Sequence, residues 1–317
     1  MHFDVFNGDA DGIIALVQLR LAEPKDSILV TGVKRDIKLV AQVDVKQATS
    51  VTVLDLSMEK NTIALNKILA HGIPTLYVDH HRPGDIPESD QLTAIIDTDA
   101  NTCTSLLVNQ YLNGKYAYWA VAAAFGDNMN ASAIELATQL GLSKDQQEKL
   151  KALGIYINYN GYGASIDDLH YPPAELFKLL IAFENPFVLI DDEHSVFSAL
   201  EQAYSQDMQK VKLAQTLADE KQCKVITLPD EAWARRVSGV LGNDLANQSP
   251  NKAHAVLTEN SDGTYRVSLR APLNDKQGAD TICIQFPTGG GRAAAAGINY
   301  LPAELVSKFI ETVKLYY

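Results

Sequence analysis

Asp79-His80-His81 follows directly on the apolar run Pro74-Thr75-Leu76-Tyr77-Val78. That run reads as a strand, so a carboxylate and two imidazoles stand where a buried strand opens into a loop. In open α/β sheets, ligands bind at the carboxyl ends of strands. Adjacent imidazoles beside a carboxylate suit metal binding and proton transfer. Three more acidic features fall at expected strand ends or loop starts. Asp9-Ala10-Asp11-Gly12 lies between an expected strand at 3–6 and a helix. Asp55 closes Val51-Thr52-Val53-Leu54. Asp127 sits in Gly126-Asp127-Asn128, after an alanine-rich helix.

Each feature alone has a plain structural reading. Asp-x-Asp-Gly makes turns and helix N-caps, Asp55 with Ser57 suits a cap for a helix starting near Met58, and Gly-Asp-Asn makes a turn. His80 and His81 alone read as surface loop residues. Taken together they point elsewhere. Parallel strands deliver their ends to one rim, and several carboxylates there repel each other unless a cation or proton compensates. Mixed oxygen and imidazole donors favour Mn²⁺, with Mg²⁺ or Co²⁺ as alternatives. A pair of ions about 3.5–4 Å apart would clamp the attacking and leaving oxygens of a phosphoryl displacement.

The elements that must position these groups are legible as alternation. Segments 3–6, 27–33, 50–54, 75–78 and 93–96 read as strands, and 12–22, 61–71, 102–113 and 116–125 as helices. The expected fold is α/β, an N-terminal parallel sheet with helices on both faces. Helical segments at 131–140, 144–154 and 172–184 follow. Asn185-Pro186 breaks the pattern, and 197–220 reads as one long charged helix. From Cys223 the texture changes: 224–228, 253–259, 264–271 and 281–285 are β-like, Asp262-Gly263 signals a hairpin turn, and 238–246 and 302–317 read as helices. The expected division is a metal-binding catalytic domain at 1–185, a helical linker at 186–222 and a smaller α+β domain at 223–317.

Composition narrows the partners. The chain has 317 residues and a net charge of -12. An acidic surface disfavours long duplex nucleic acid, whose binding needs a basic footprint, but a small anion remains accessible to a local cationic site. The three cysteines, Cys103, Cys223 and Cys283, form no CxxC pair and suit a reducing compartment. The first residues lack a signal-peptide pattern, and the apolar stretch 117–125 is too short to span a bilayer. The expectation is a cytoplasmic protein without a membrane partner. Lys34-Arg35-Asp36 reads as a solvated mixed-charge loop, 154–163 as a Tyr/Asn/Gly-rich loop, and His2, His71, His170, His194 and His254 as ordinary surface or core residues.

The order Asp-x-Asp, strand-terminal Asp, Asp-His-His and Gly-Asp resembles the DHH phosphoesterase superfamily, which holds RecJ-type exonucleases, nanoRNases, cyclic-dinucleotide phosphodiesterases and manganese pyrophosphatases. The resemblance implies metal-ligand roles for Asp9, Asp11, Asp55, His80 and Asp127, with Asp55 bridging two ions and Asp11, His80 and Asp127 completing the second site. It implies catalytic roles for the Asp79-His80-His81 triplet: His81 would contact phosphate or assist proton transfer, and Asp79 would orient a histidine. One departure stands out. The first motif usually begins with His four residues before the first Asp, and here that position is Val5.

Near the C-terminus, Thr288-Gly289-Gly290-Gly291-Arg292 runs into four alanines and Gly297. If those alanines open a helix, its free amides and the Arg292 guanidinium suit an anion; a tight turn into a closely packed element is the plain alternative. Arg270 ends the β-like run Val267-Ser268-Leu269-Arg270, as a solvated strand end or a second phosphate ligand. Ser-Leu-Arg with this glycine loop, and Gly239-Val240-Leu241-Gly242 upstream, resembles the DHH-associated C-terminal domain. The resemblance implies substrate binding by Arg270, Gly289, Gly290, Gly291 and Arg292, with Arg292 standing where the family has His. The expected function is hydrolysis, by metal-activated water, of a phosphate ester or phosphodiester in a short oligonucleotide, dinucleotide or phosphorylated nucleotide. An inorganic pyrophosphatase or exopolyphosphatase is one alternative. A non-catalytic nucleotide sensor, suggested by Val5, is another. A homodimer is compatible with either enzyme reading.

Overall fold

The computed structural model describes residues 1–317, which divide into two compact units at Gln202/Ala203. The first unit carries β1 (His2–Phe6), α1 (Ala10–Ala22), β2 (Ser27–Val30), β3 (Ser50–Leu54), α2 (Met58–Ala70), β4 (Thr75–Asp79), β5 (Leu92–Ile96), α3 (Thr104–Tyr111), α4 (Ala117–Gly126), α5 (Asn130–Gln139), α6 (Lys144–Asn160), α7 (Pro173–Leu180), α8 (Pro186–Ile190) and the first half of α9 (Val196–Lys210). Its five strands form a wholly parallel sheet in the order β2-β1-β3-β4-β5. The chain leaves β1 toward β2 on one side and returns to β3 on the other. The loops after β1 and β3 therefore flank a topological switch point, where doubly wound sheets form their ligand crevice.

Alternation along the strands feeds two cores. Phe6, Leu54 and Val78 pack with α1, α3, α4 and α6, whereas Phe3, Val5, Val51, Val53 and Tyr77 pack with Met58 and Leu65 of α2. With both faces covered, the strands read as continuous apolar runs. Helix α1 is buried from Ala10 through Arg20, so it lacks an amphipathic stripe. Helices α4 and α6 approach through glycines. A Cβ on Gly154 would lie 1.9 Å from the Ala122 carbonyl oxygen, and one on Gly126 would lie 2.7 Å from the Ala10 Cβ. Gly154→Ala is therefore expected to destabilise the first unit by about 3 kcal/mol through overpacking, measured by urea unfolding.

The second unit holds β6 (Gln215–Asp219), β7 (Cys223–Leu228), α10 (Ala232–Gln248), β8 (Ala253–Glu259), β9 (Tyr265–Arg270), α11 (Ala279–Cys283), β10 (Gly289–Gly291), β11 (Ala295–Leu301) and α12 (Val306–Tyr316). Its mixed sheet has the order β10-β11-β9-β8-β7-β6. Asp262-Gly263 does sit in the turn between antiparallel β8 and β9. No helix in either unit is long and apolar enough to cross a membrane.

Several expected elements differ. The segment 197–220 is not one helix: α9 stops at Lys210, and β6 gains backbone pairing with β7. Residues 186–222, expected as a linker, are shared between the two units. The segment 281–285 is no strand: 281–283 end helix α11 and 284–285 turn out of it, and Ala279, Ile282, Cys283 and Phe286 recur at i, i+3, i+4 and i+7 and are all buried. The stretch 154–163 is mostly helix, since α6 runs to Asn160 behind a Ser143/Gln146 capping box. The alanines after Arg292 open no helix. Gly289–Gly291 is a strand paired antiparallel with β11, and Arg292 and Ala295 exchange backbone hydrogen bonds of 2.9 and 3.1 Å across the turn.

Candidate metal centre

The loop from β1 into α1 sets the first carboxylates. Asp9 is the N-cap of α1 and accepts from the Gly12 N–H at 3.0 Å, so its plain reading as a cap holds alongside any further role. Asp11, one turn inside, accepts from the Thr104 and Ser105 backbone N–H groups at 2.8 and 2.7 Å. One carboxylate thereby satisfies two orphan donors at the start of α3 and fixes α3 against α1. Asp55 follows β3 with φ +57°, a left-handed conformation that Asp tolerates better than most residues. Its Oδ1 accepts from the Thr104 hydroxyl at 3.3 Å. Ser57 makes no side-chain cap for α2.

The histidines follow β4. His80 donates through Nδ1 to the Thr102 carbonyl at 2.9 Å, which leaves Nε2 as the lone-pair nitrogen. That nitrogen lies 3.4 Å from Asp55 Oδ1 and 3.8 Å from Asp11 Oδ2. A carbonyl that fixes the tautomer behind a ligating histidine is a common support for a metal site. His81 donates through Nδ1 to Asp79 Oδ1 at 2.7 Å, with Asp55 Oδ1 at 3.7 Å. The other Asp79 oxygen is buried without a hydrogen-bond partner. Ligand atoms of Asp55, His80 and His81 all lie within 4.8 Å of one another.

Asp127 caps the end of α4, and its Oδ1 lies 3.7 Å from the Lys34 ammonium. Lys34 also pairs with Asp9 Oδ2 and lies 3.3 Å from Asn158 Oδ1. Lys34 is thus a residue of the site and not the solvated loop cation expected; its side chain is 24% exposed. Sequence reasoning also missed Thr102, Thr104, Ser105 and Asn158. For Lys34 the signal was present, because it follows β2 at the same rim as the acidic strand ends.

The electrostatics separate two halves. Burial pushes the Asp55 carboxyl well above the usual carboxylate range, and the Asp9 and Asp11 charges push it further. Burial likewise raises Asp11, and the Asp127 and Asp9 charges add to it, against the opposing help of His80 and the Ser105 N–H. Crowded, raised carboxylates facing a fixed imidazole lone pair fit a divalent cation, which favours their ionised forms. At the other end burial opposes ionisation of Asp9, but Lys34 overcomes it and holds Asp9 below its ordinary value. Burial opposes the Lys34 charge too, yet Asp9, Tyr162 and Asp127 keep it firmly protonated. Val5 is fully buried in the core on the α2 face and offers no ligand.

In the second unit, Arg270 donates to Asn243 Oδ1 at 2.6 Å and to the Gly239 carbonyl at 3.3 Å, which ties the end of β9 to α10. The glycines serve packing: a Cβ on Gly289 would lie 1.8 Å from the Cys283 carbonyl oxygen, and Gly291 has φ +147° with Ala296 against it. Gly290 faces open space.

No protein-family model matches the sequence, and no curated protein matches it. Among solved structures, the chain is similar to the DHH domain of a member of the s1p family of ribosomal proteins (TM-score 0.63, 14% identity, covering 99% of this chain and 86% of that one). It is similar to an exonuclease RecJ bound to manganese (0.59, 14%, 99% and 89%). It is also similar to the pGpG-specific phosphodiesterase PggH from Vibrio cholerae (0.55, 12%, 99% and 98%). At these identities the likeness is one of architecture, and the chain has the fold of the DHH superfamily.

Proposed function

We propose that the protein is a metal-dependent phosphoesterase that hydrolyses a phosphate ester or phosphodiester in a short oligonucleotide, a dinucleotide or a phosphorylated nucleotide. The observation that carries this reading is the convergence of Asp55, His80 and His81 at the rim of a parallel sheet. The manganese-bound RecJ and the pGpG-specific phosphodiesterase among the structural neighbours support it, as does the acidic surface, which disfavours a long polymer. Asp55, His80 and Asp11 would hold the ion, Mn²⁺ by preference. Once bound, the ion would supply Lewis acidity toward a phosphoryl group and its water nucleophile. The chain does the rest. Thr102 fixes His80 so that Nε2 faces the carboxylates. Asp79 fixes the His81 tautomer, leaving its Nε2 to take or give a proton. Arg270 and Arg292 are the candidate anion-binding groups of the second unit.

The test is incubation of the purified protein with Mn²⁺ and a dinucleotide, a cyclic dinucleotide, 3′-phosphoadenosine-5′-phosphate or pyrophosphate. The expected result is cleavage of a nucleotide-bearing member, absent in Asp55→Asn. His81→Gln is expected to lower kcat by about 10²–10⁴-fold, with a much smaller change in Mn²⁺ affinity. Cleavage of pyrophosphate alone would replace this reading with a pyrophosphatase. Mn²⁺ binding with no cleavage would replace it with a nucleotide sensor, the reading that the buried Val5 favours.

A further inference from the structure

We infer that the Lys34 ammonium is the resident cation at the Asp9–Asp127 end of the site, so that the centre takes one divalent ion, at Asp55 and His80, and not two. The inference rests on the metal-centre reading above and specifies its composition.

Lys34 is built into the site from its backbone outward. Its N–H donates to the Gly161 carbonyl at 2.9 Å, and its own carbonyl accepts from Asn7 Nδ2 at 3.2 Å. Asn7 belongs to the same loop that presents Asp9. The two loops can come this close because both carry glycine: a Cβ on Gly8 would lie 1.9 Å from the Gly32 carbonyl oxygen. A lysine on a solvated loop needs no such anchoring.

The side chain then meets an oxygen set suited to a hard cation. Its Nζ pairs with Asp9 Oδ2, lies 3.3 Å from Asn158 Oδ1 and 3.7 Å from Asp127 Oδ1, and stands 5.4 Å from the centroid of the Tyr162 ring. An ammonium has three donors, and three oxygens face it. A dication placed between Asp9 and Asp127 would have to displace Lys34 or sit against a like charge. Val5, on the strand that leads into the Asp9 loop, is fully buried among Phe3, Val53 and Met58 and offers no ligand.

Charge arithmetic agrees. Asp9, Asp11, Asp55 and Asp127 together carry four negative charges when ionised. Lys34 and one divalent ion offset three of them, leaving room for the proton economy of hydrolysis, whereas a second ion would overshoot. The consequence is a centre whose one half is charged permanently and whose other half is loaded from solution.

The test is Mn²⁺ stoichiometry of the 317-residue chain, by isothermal titration calorimetry and by electron paramagnetic resonance, with no substrate present. The expected result is one ion per chain with the spectrum of a magnetically isolated Mn²⁺. Lys34→Gln, close in length and without the charge, is expected to take a second ion and show exchange coupling, with circular dichroism confirming the fold. Stoichiometry that stays at one in Lys34→Gln overturns the role given to the lysine. Two coupled ions in the wild-type protein overturn the inference and leave the metal-centre reading standing. No ion in the wild-type protein overturns both.

Discussion

Asp55→Asn is expected to abolish Mn²⁺ binding and hydrolysis while raising the stability of the metal-free protein. The two effects have one cause. Burial, with the Asp9 and Asp11 charges beside it, holds the Asp55 carboxyl well above its ordinary titration range and so disfavours its ionised form. Asn keeps the shape, accepts the Thr104 hydroxyl and tolerates φ +57°, but it removes the charge that makes the rim repel itself. An Ala replacement would add backbone strain and blur the result. Loss of a ligand that faces His80 Nε2 at 3.4 Å should weaken Mn²⁺ by more than the roughly 10–100-fold typical of removing a supporting group. The gain in metal-free stability should be on the order of 1 kcal/mol, read as a higher Tm. The sign of the pH dependence follows from the raised carboxyl. A folded-state pKa above the unfolded value favours folding at low pH and costs stability as pH rises from about 4 through the folded value. Mn²⁺ must displace the proton that the raised carboxyl holds, so the Tm gain from saturating Mn²⁺ should grow as pH rises toward the folded value and vanish in Asp55→Asn. A gain that is flat with pH would mean that Asp55 is ionised without metal.

The parts of this molecule legible in sequence are those where one local rule decides. Asp9, Asp11, Asp55 and His80 each follow an apolar run, and because the strands are parallel and buried on both faces, the run's end is also the site's rim. The Asp262-Gly263 turn is likewise local. The parts that were not legible depend on partners distant in sequence. The four alanines after Arg292 carry no decisive period; what makes β11 a strand is pairing with Gly289–Gly291 and with β9. The segment after Lys210 becomes β6 because β7 is there to receive it. Lys34 is the instructive case. Acids and imidazoles at strand ends read as a site, whereas a lysine beside Arg35 and Asp36 reads as solvated. Its actual surroundings, Asp9, Asp127 and Asn158, come from three separate chain segments, and the Gly8–Gly32 approach brings the Asp9 loop against the loop that carries Lys34.

Asp4→Ala is expected to destabilise the first unit by about 3–5 kcal/mol while leaving the metal centre of the folded protein intact. Asp4 is fully buried midway along β1 and receives a two-pronged contact from Arg20 of α1, Nε to Oδ2 at 2.9 Å and Nη2 to Oδ1 at 2.7 Å. Ser27 donates to it at 2.6 Å, and Arg20 Nη2 also reaches Thr52 of β3 at 3.1 Å. One carboxylate therefore ties α1 to three neighbouring strands. The cost of removing it is mainly that of leaving Arg20, 5% exposed, as an unpaired buried charge. The double variant Asp4→Ala/Arg20→Ala should then be much less destabilised than the two single costs summed, which a structural role through packing alone would not produce. Burial by itself would raise Asp4, but its hydrogen bonds with His2 and Arg20 and the Arg20 charge bring it down to about 2. A depressed carboxyl contributes stability above its unfolded value of about 3.9 and loses it as pH falls toward 2. Below that window the Asp4→Ala penalty should shrink, opposite in direction to the behaviour of Asp55. The network lies at the N-terminal end of β1 and the carboxylates at its C-terminal end, so Mn²⁺ affinity measured well below the melting transition should not change. A variant that keeps its unfolding midpoint but loses Mn²⁺ would move Asp4 from the scaffold to the site.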